Sequence, residues 1–132
     1  MQINFIKPIS KRGNYSTRNN SDVFLNAYIK GKHRKQNCFE LNIKSFLNKN
    51  KLGWKYIQVG FDDNNNIVMC EGTSENGYAV SRHNRSICNK ILVESLINKL
   101  DLRIPIKADE LVKVNFTMIK IGNTNIYQLI KN

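Results

Sequence analysis

The chain has 132 residues, 41% of them hydrophobic, which is the length of one domain with enough apolar side chains for one core. It contains only 7 Gly and 2 Pro, and no apolar run approaches the roughly 20 residues of a membrane span, so collagen-like chains and transmembrane helices are excluded. Its 21 Lys and Arg against 10 Asp and Glu give a net charge of +11, which favours polyanionic partners and nucleic acid above all.

The first part of the chain is basic and lacks a core-forming period. Residues 1–35 carry eight basic side chains and a single acidic one, Asp22. We predict a basic N-terminal arm over 1–31, irregular over 1–21 and with one extra strand over 22–29. No apolar signal-peptide block follows Met1, so we expect a cytoplasmic protein.

A shift of 50 residues brings two parts of the chain into register, with His33, Cys38 and Ser45 meeting identical residues. Three further blocks follow in the same order, the first after a two-residue slip and the other two after an eight-residue excess in the second copy at 103–110. The matching blocks are 32–49 with 82–99, 52–54 with 100–102, 56–61 with 111–116, and 66–68 with 125–127. We predict an internal duplication, with repeats at 32–77 and 78–132 that together form one globular domain.

Hydrophobic spacing gives both repeats the same element order, β-α-β-β. For the first repeat it predicts a strand at 34–42, a helix at 43–52 that stops at Gly53, and strands at 56–62 and 67–70 around an Asn-rich hairpin turn. For the second it predicts a strand to about 89, a helix at 91–101, and strands at 111–119 and 126–130. The predicted fold class is therefore mainly β (α+β).

This unit resembles the AbrB/MazE/SpoVT family of swapped-hairpin DNA-binding proteins. The resemblance is carried by the short helix segment Leu41–Gly53, which closes on Leu-Gly, and by the hairpin Lys55–Met69, which contains Asp-Asp. The family's Gly-Arg before the strand and its Pro at the helix start are missing. Two copies, usually from two chains, exchange hairpins in that family to close one small barrel. Tandem copies, as in MraZ-like relatives, imply a swapped-hairpin-like barrel closed by one chain, as a monomeric pseudo-dimer or a homodimer.

The resemblance also implies which residues contact DNA, since the family binds through basic residues on the first strand and the loop before the helix. The matching residues are Lys32, Arg34 and Lys35 in the first repeat and Arg82 and Arg85 in the second. Guanidinium groups suit bidentate contacts to phosphate and guanine edges, which agrees with that role. We add the cations of the arm, Lys11, Arg12 and Arg18.

The predicted function is that of a DNA-binding transcription regulator. The alternative is a phage or mobile-element protein that inhibits a host nucleic-acid enzyme, for example an RNA-guided nuclease, through its basic surface. A general RNA or DNA binder that uses the basic arm is a third hypothesis. We expect no membrane partner and no cofactor.

Cysteine and histidine occur in a repeated pattern that has two interpretations. The pairs His33/Cys38 and His83/Cys88 would allow a zinc site if the repeats faced each other, but their spacing is not a usual zinc spacing. We favour reduced cysteines buried in core strands, with Cys70 in the core as well and the histidines exposed. No P-loop, nucleophile elbow or other catalytic motif is present, so the sequence does not predict an enzyme.

Overall fold

The computed structural model describes residues 21–132, and it confirms that the fold is mainly β. Lys11, Arg12 and Arg18 lie outside the described residues. The elements, in chain order, are β1 (Val23–Tyr28), β2 (Cys38–Asn42), α1 (Lys44–Lys49), β3 (Tyr56–Phe61), β4 (Ile67–Glu71), β5 (Tyr78–Ala79), β6 (Ser86–Ile87), α2 (Lys90–Lys99), β7 (Leu111–Lys120) and β8 (Tyr127–Lys131). None of the helices within 21–132 has the length and apolar character needed to cross a membrane.

All eight strands belong to one antiparallel sheet, in the order β5-β3-β4-β8-β7-β1-β2-β6. The two edge strands, β5 and β6, are consecutive in the chain. The turn between them is closed by a 2.9 Å hydrogen bond that the Ser81 N–H donates to the Ser86 carbonyl. This turn links the two edges of the sheet, so the sheet forms a small, nearly closed barrel.

One hydrophobic core fills the barrel and continues under the helices. In β1, Val23, Leu25 and Ala27 are fully buried, while the residues between them are partly exposed, as expected for a strand with one face towards a core. The helices add side chains at helical spacing to the same core: Phe46 and Leu47 from α1, and Leu92, Val93, Leu96 and Ile97 from α2.

The two helices end in the same way. For α1, the helix ends before the residue at which the sequence predicts its stop. The chain leaves α1 at Lys51, whose φ is 54°, two residues before the predicted stop at Gly53. Asp101, with a φ of 57°, does the same after α2. In both cases the next residue, Leu52 or Leu102, donates its N–H to the carbonyl five residues earlier, at 2.9 and 3.1 Å. This is a Schellman-type ending formed without glycine.

The predicted strands of the hairpins are confirmed to within two residues, and so is the turn at 62–66. The Asp62 carboxylate accepts hydrogen bonds from the N–H groups of Asn64 and Asn66, both at 2.9 Å, and Asn65 has a φ of 64°. Asn tolerates this left-handed backbone, which is the reason the turn was readable from sequence.

The strands before the helices differ from the prediction, and so do the cysteines. β2 begins only at Cys38, β6 contains only two residues, and the short strand β5 was not predicted. Cys38 therefore opens β2, whereas Cys88 follows the end of β6, and the two are not at equivalent places. The prediction of buried cysteines was wrong: Cys88 is exposed, and Cys38 and Cys70 are partly exposed free thiols.

Candidate nucleic-acid interface

The positive charge of the described residues is largely uncompensated by ion pairs. Seventeen of the 21 basic side chains and all ten acidic ones lie within 21–132. Only two ion pairs form in this part of the chain, Lys49–Asp22 at 3.5 Å and Arg103–Glu110 at 3.3 Å. Four carboxylates accept hydrogen bonds from backbone N–H groups, those of Asp62 and Asp109, which form no ion pair, and those of Asp22 and Glu110, which form one each. Most cations therefore have no carboxylate partner within the described residues.

The first group of predicted DNA-contacting residues lies on the loop between β1 and β2, residues 29–37, which we call the capped loop. The N–H groups of Lys32 and His33 donate to the two carboxylate oxygens of Asp109, at 2.8 and 2.9 Å. Gly31 is required beside this carboxylate, since a Cβ at Gly31 would lie 2.6 Å from the Asp109 Cγ. Lys32 and Lys35 are exposed, and Arg34 is partly exposed.

These contacts keep Asp109 ionised. The hydrogen bond from the His33 N–H is the main cause that lowers the pKa of Asp109, and the Lys32 N–H and the electrostatic effects of the His33 and Arg34 side chains act in the same direction. Partial desolvation opposes them. The N–H groups of the capped loop thus bind an anion that belongs to the same chain, the Asp109 carboxylate.

The outer surface of β1 carries two aromatic rings that sequence reasoning missed. We call this the aromatic face, formed by Phe24, Asn26, Tyr28 and Lys113. The Arg34 guanidinium carbon lies 5.0 Å from the Tyr28 ring centroid, and the Lys113 ammonium lies 5.2 Å from the Phe24 centroid. Asn26 lies between the rings, opposite Lys113 of β7. The sequence Val23–Tyr28 could have revealed these rings, because its alternating pattern places Phe24 and Tyr28 on the outward face of the strand.

Partly exposed aromatic rings and guanidinium planes are surfaces on which bases stack. The aromatic face adjoins the capped loop through Arg34, which lies over Tyr28. The capped loop and the aromatic face together therefore combine cations that attract phosphate with rings on which bases can stack.

The second group of predicted residues lies on the turn between β5 and β6, residues 80–85, which we call the arginine turn. Arg82 is exposed, and Arg85 is partly buried with a φ of 52°. Arg85 Nη2 donates to the Leu52 carbonyl at 3.0 Å, so the side chain joins the turn to the end of α1. Arg85 Nε is buried and has no hydrogen-bond partner among the residues that the structure describes.

The capped loop and the arginine turn are not brought together. They precede β2 and β6, which are antiparallel, with Leu41 opposite Ile87 and Asn42 opposite Ser86. The two cationic groups therefore lie at opposite ends of this ladder. The five residues of β2 alone separate them by about 16 Å.

The histidine and cysteine pairs are not gathered at one point of the fold. Within residues 21–132, no group of three or more His, Cys, Asp and Glu side chains converges on a common point. Burial is the main cause that raises the pKa of the Cys38 thiol, with Glu40 adding to it. Cys38 therefore stays protonated at neutral pH, unlike a metal-binding or nucleophilic cysteine.

Comparisons with models of protein families, with curated proteins and with solved structures give no match. The resemblance to the swapped-hairpin family stays a prediction, and the functional argument rests on the geometry of this chain.

Proposed function

We propose that the protein binds DNA, as a transcription regulator, with the capped loop and the arginine turn as its two contact regions. Uncompensated positive charge supports this assignment. Carboxylates that would otherwise neutralise the surface are used as backbone caps, which leaves Lys32, Arg34, Lys35 and Arg82 without ion-pair partners among the described residues. Cations of this kind contribute binding energy by releasing counterions from DNA phosphates.

We also propose that the barrel consists of two β-α-β-β repeats closed as in swapped-hairpin proteins, with one further strand before each. The order of strands in the sheet supports this. Exchanging β1–β4 for β5–β8 turns the neighbours β5–β3 into β1–β7 and β3–β4 into β7–β8, and it leaves β4–β8 and β2–β6 in place. A pseudo-two-fold axis of this kind would present two cationic groups to a roughly palindromic site, as dimeric DNA-binding proteins do.

The residues of the capped loop have separate roles in this proposal. Lys32 and Lys35 are exposed point charges, suited to phosphate contacts that fix position without reading sequence. Arg34 lies over Tyr28, and its guanidinium suits a bidentate contact to a guanine edge. Arg82 would supply the phosphate contact at the other end of the β2–β6 ladder.

Salt-dependent binding to a duplex of mixed sequence tests the proposal. Fluorescence anisotropy of the full chain would compare the wild type with the triple variant Lys32→Gln/Arg34→Gln/Lys35→Gln. The matched control is Lys44→Gln/Lys120→Gln/Lys131→Gln, which removes the same charge from three exposed lysines outside both contact regions. We expect the capped-loop variant to reduce the slope of log affinity against log salt by about 2 to 3, and the control by less than about 1.

Equal losses in both triple variants would show that only net charge matters, and would refute the capped loop as a contact region. A single-stranded RNA probe of the same length distinguishes the nucleic acid. If it competes better than the duplex, the aromatic face is the main binding surface and the DNA assignment is wrong. No binding to any nucleic acid at low salt would favour the alternative, an inhibitor of a nucleic-acid enzyme.

A further inference from the structure

A cavity of about 330 Å³ lies beside the arginine turn. Its walls are formed by the short link between α1 and β3 and by the arginine turn itself. The lining side chains that matter here are Trp54 and Tyr56, which are aromatic, and Lys55, Arg82 and Arg85, which are cationic. No acidic residue lines the cavity among the described residues.

The matching place in the other half of the barrel is occupied by a carboxylate. There the link between α2 and β7, residues 100–110, is longer than the link 50–55 between α1 and β3. Its extra length carries Asp109, which accepts hydrogen bonds from the Lys32 and His33 N–H groups of the capped loop. The link 50–55 contains no acidic residue. It reaches the arginine turn through backbone carbonyls, that of Leu52, which accepts from Arg85 Nη2 at 3.0 Å, and that of Lys55, which accepts from the Val80 N–H at 2.9 Å.

The arginine turn keeps a hydrogen-bond donor without an acceptor. Buried polar groups are almost always hydrogen-bonded, and a buried guanidinium N–H without a partner requires an explanation. Arg85 Nε is such a donor within the described residues, and its side chain lines the cavity. Arg82, on the same turn, adds a second guanidinium whose side chain is exposed.

We propose that this cavity binds the phosphate group of a nucleotide, with Arg82 and Arg85 as its ligands. The phosphate takes the place that the Asp109 carboxylate has in the other half of the barrel. Trp54 and Tyr56 provide the wall against which the attached sugar or base packs. This inference rests on the proposed function, since in the complete complex the phosphate is one of the DNA backbone.

Phosphate suits these donors better than a carboxylate. Two guanidinium groups offer planar donor forks that match phosphate oxygens, and Lys55 adds a third cation at the rim. A DNA phosphodiester carries one negative charge, as a carboxylate does, but it also brings a sugar and a base that can pack against Trp54 and Tyr56. A terminal phosphate monoester has a third free oxygen and a larger negative charge, so it satisfies more of the donors at once. The cavity is also at the small end of the range for ligand sites, which fits one nucleotide rather than a longer stretch of chain.

Trp54 is the only tryptophan of the chain and lines both this cavity and a second one beside Cys70 and Tyr127, so its fluorescence reports on binding and the Arg82→Gln variant assigns the signal to this cavity. Thymidine 5′-monophosphate would be titrated into the full chain at constant ionic strength, with thymidine, inorganic phosphate and acetate as comparison probes. We expect saturable changes of Trp54 fluorescence with the monophosphate and with inorganic phosphate, and none with thymidine or acetate. Arg82→Gln should weaken monophosphate binding about tenfold or more, because one charge-assisted contact is lost.

Lys120→Gln is the matched control, since it removes one exposed charge outside both contact regions and should leave the monophosphate affinity unchanged. A wild-type Trp54 signal that responds equally to acetate would overturn the proposal in favour of a carboxylate site. So would equal losses in Arg82→Gln and Lys120→Gln. Duplex binding without any response to the monophosphate would refute the cavity while the proposed function stands. A response to the monophosphate without duplex binding would support the cavity and refute DNA binding.

Discussion

The capped loop and the arginine turn are two basic segments that look alike in sequence and are stabilised in opposite ways. In the capped loop the backbone donates and a carboxylate from a distant link, Asp109, accepts. In the arginine turn the acceptors are backbone carbonyls, that of Leu52, which accepts from the Arg85 side chain, and that of Lys55, which accepts from the Val80 N–H. The first arrangement completes the loop with an internal anion, and the second leaves an unused donor beside a cavity. Similar cationic motifs can therefore have different capacities for an external anion.

The largest stability effect should come from Gly31→Ala. The new Cβ would lie 2.6 Å from the Asp109 Cγ and from one carboxylate oxygen, so the carboxylate has to leave the Lys32 and His33 N–H groups. Overpacking of this kind costs about 1–3 kcal/mol in free energy of unfolding. Urea denaturation would measure it.

Gly53→Ala is the matched control on the other side of the comparison, because a Cβ at Gly53 has no atom within 4 Å. It should change the free energy of unfolding by less than about 0.5 kcal/mol. Similar losses in both glycine variants would mean that the capped loop does not depend on the close approach of Asp109.

A somewhat smaller effect is expected for Arg85→Ala, which removes the hydrogen bond to the Leu52 carbonyl and the packing of the side-chain stem. The loss should be about 1–2 kcal/mol. Arg85→Gly removes the same contacts but relieves the left-handed backbone, with a φ of 52°, so it should be about 1 kcal/mol more stable than the alanine variant. Thermal unfolding would rank the two, and the reverse order would show that the positive φ is not retained in solution.

Gly53→Asp sharpens the comparison by giving the arginine turn a carboxylate of its own. The position lines the cavity and has open space for a side chain. Pairing with Arg82 or Arg85 should add less than about 1 kcal/mol to the free energy of unfolding, since the pair is partly exposed. The same variant should abolish the Trp54 response to thymidine monophosphate, while Gly53→Asn should keep it. If Gly53→Asp kept the Trp54 response, Arg82 and Arg85 would not be the residues that bind the monophosphate.

Local signals explain what the sequence could predict. The Asn-rich turn at 62–66 and the apolar spacing of α2 belong to contiguous residues, and both were readable. The contact between Lys32 and Asp109 joins residues more than 70 positions apart, and no local sequence pattern predicts it. The ungapped alignment of Cys38 with Cys88 failed because α2 is longer than α1, which moves the start of the helix relative to the strand before it. Arg82 and Arg85 were found through the resemblance to the swapped-hairpin family, but the cavity beside them depends on the short link 50–55.

The smallest effect should be a change in the acid limb of the stability curve when Asp109 is replaced by Asn. In the folded protein the His33 and Lys32 N–H groups lower the pKa of Asp109, so the carboxylate stabilises the fold at every pH above its ordinary value of about 4. That contribution is lost as pH falls through the lowered pKa. Wild-type stability should therefore fall below about pH 4, and Asp109→Asn should show a shallower fall over the same range. Asp62→Asn gives a reference, because the pKa of Asp62 is lowered chiefly by the Asn66 N–H, far from the capped loop. If Asp109→Asn left the acid limb unchanged while Asp62→Asn flattened it, the capped loop would not hold its carboxylate in solution, and the two basic segments would be alike after all.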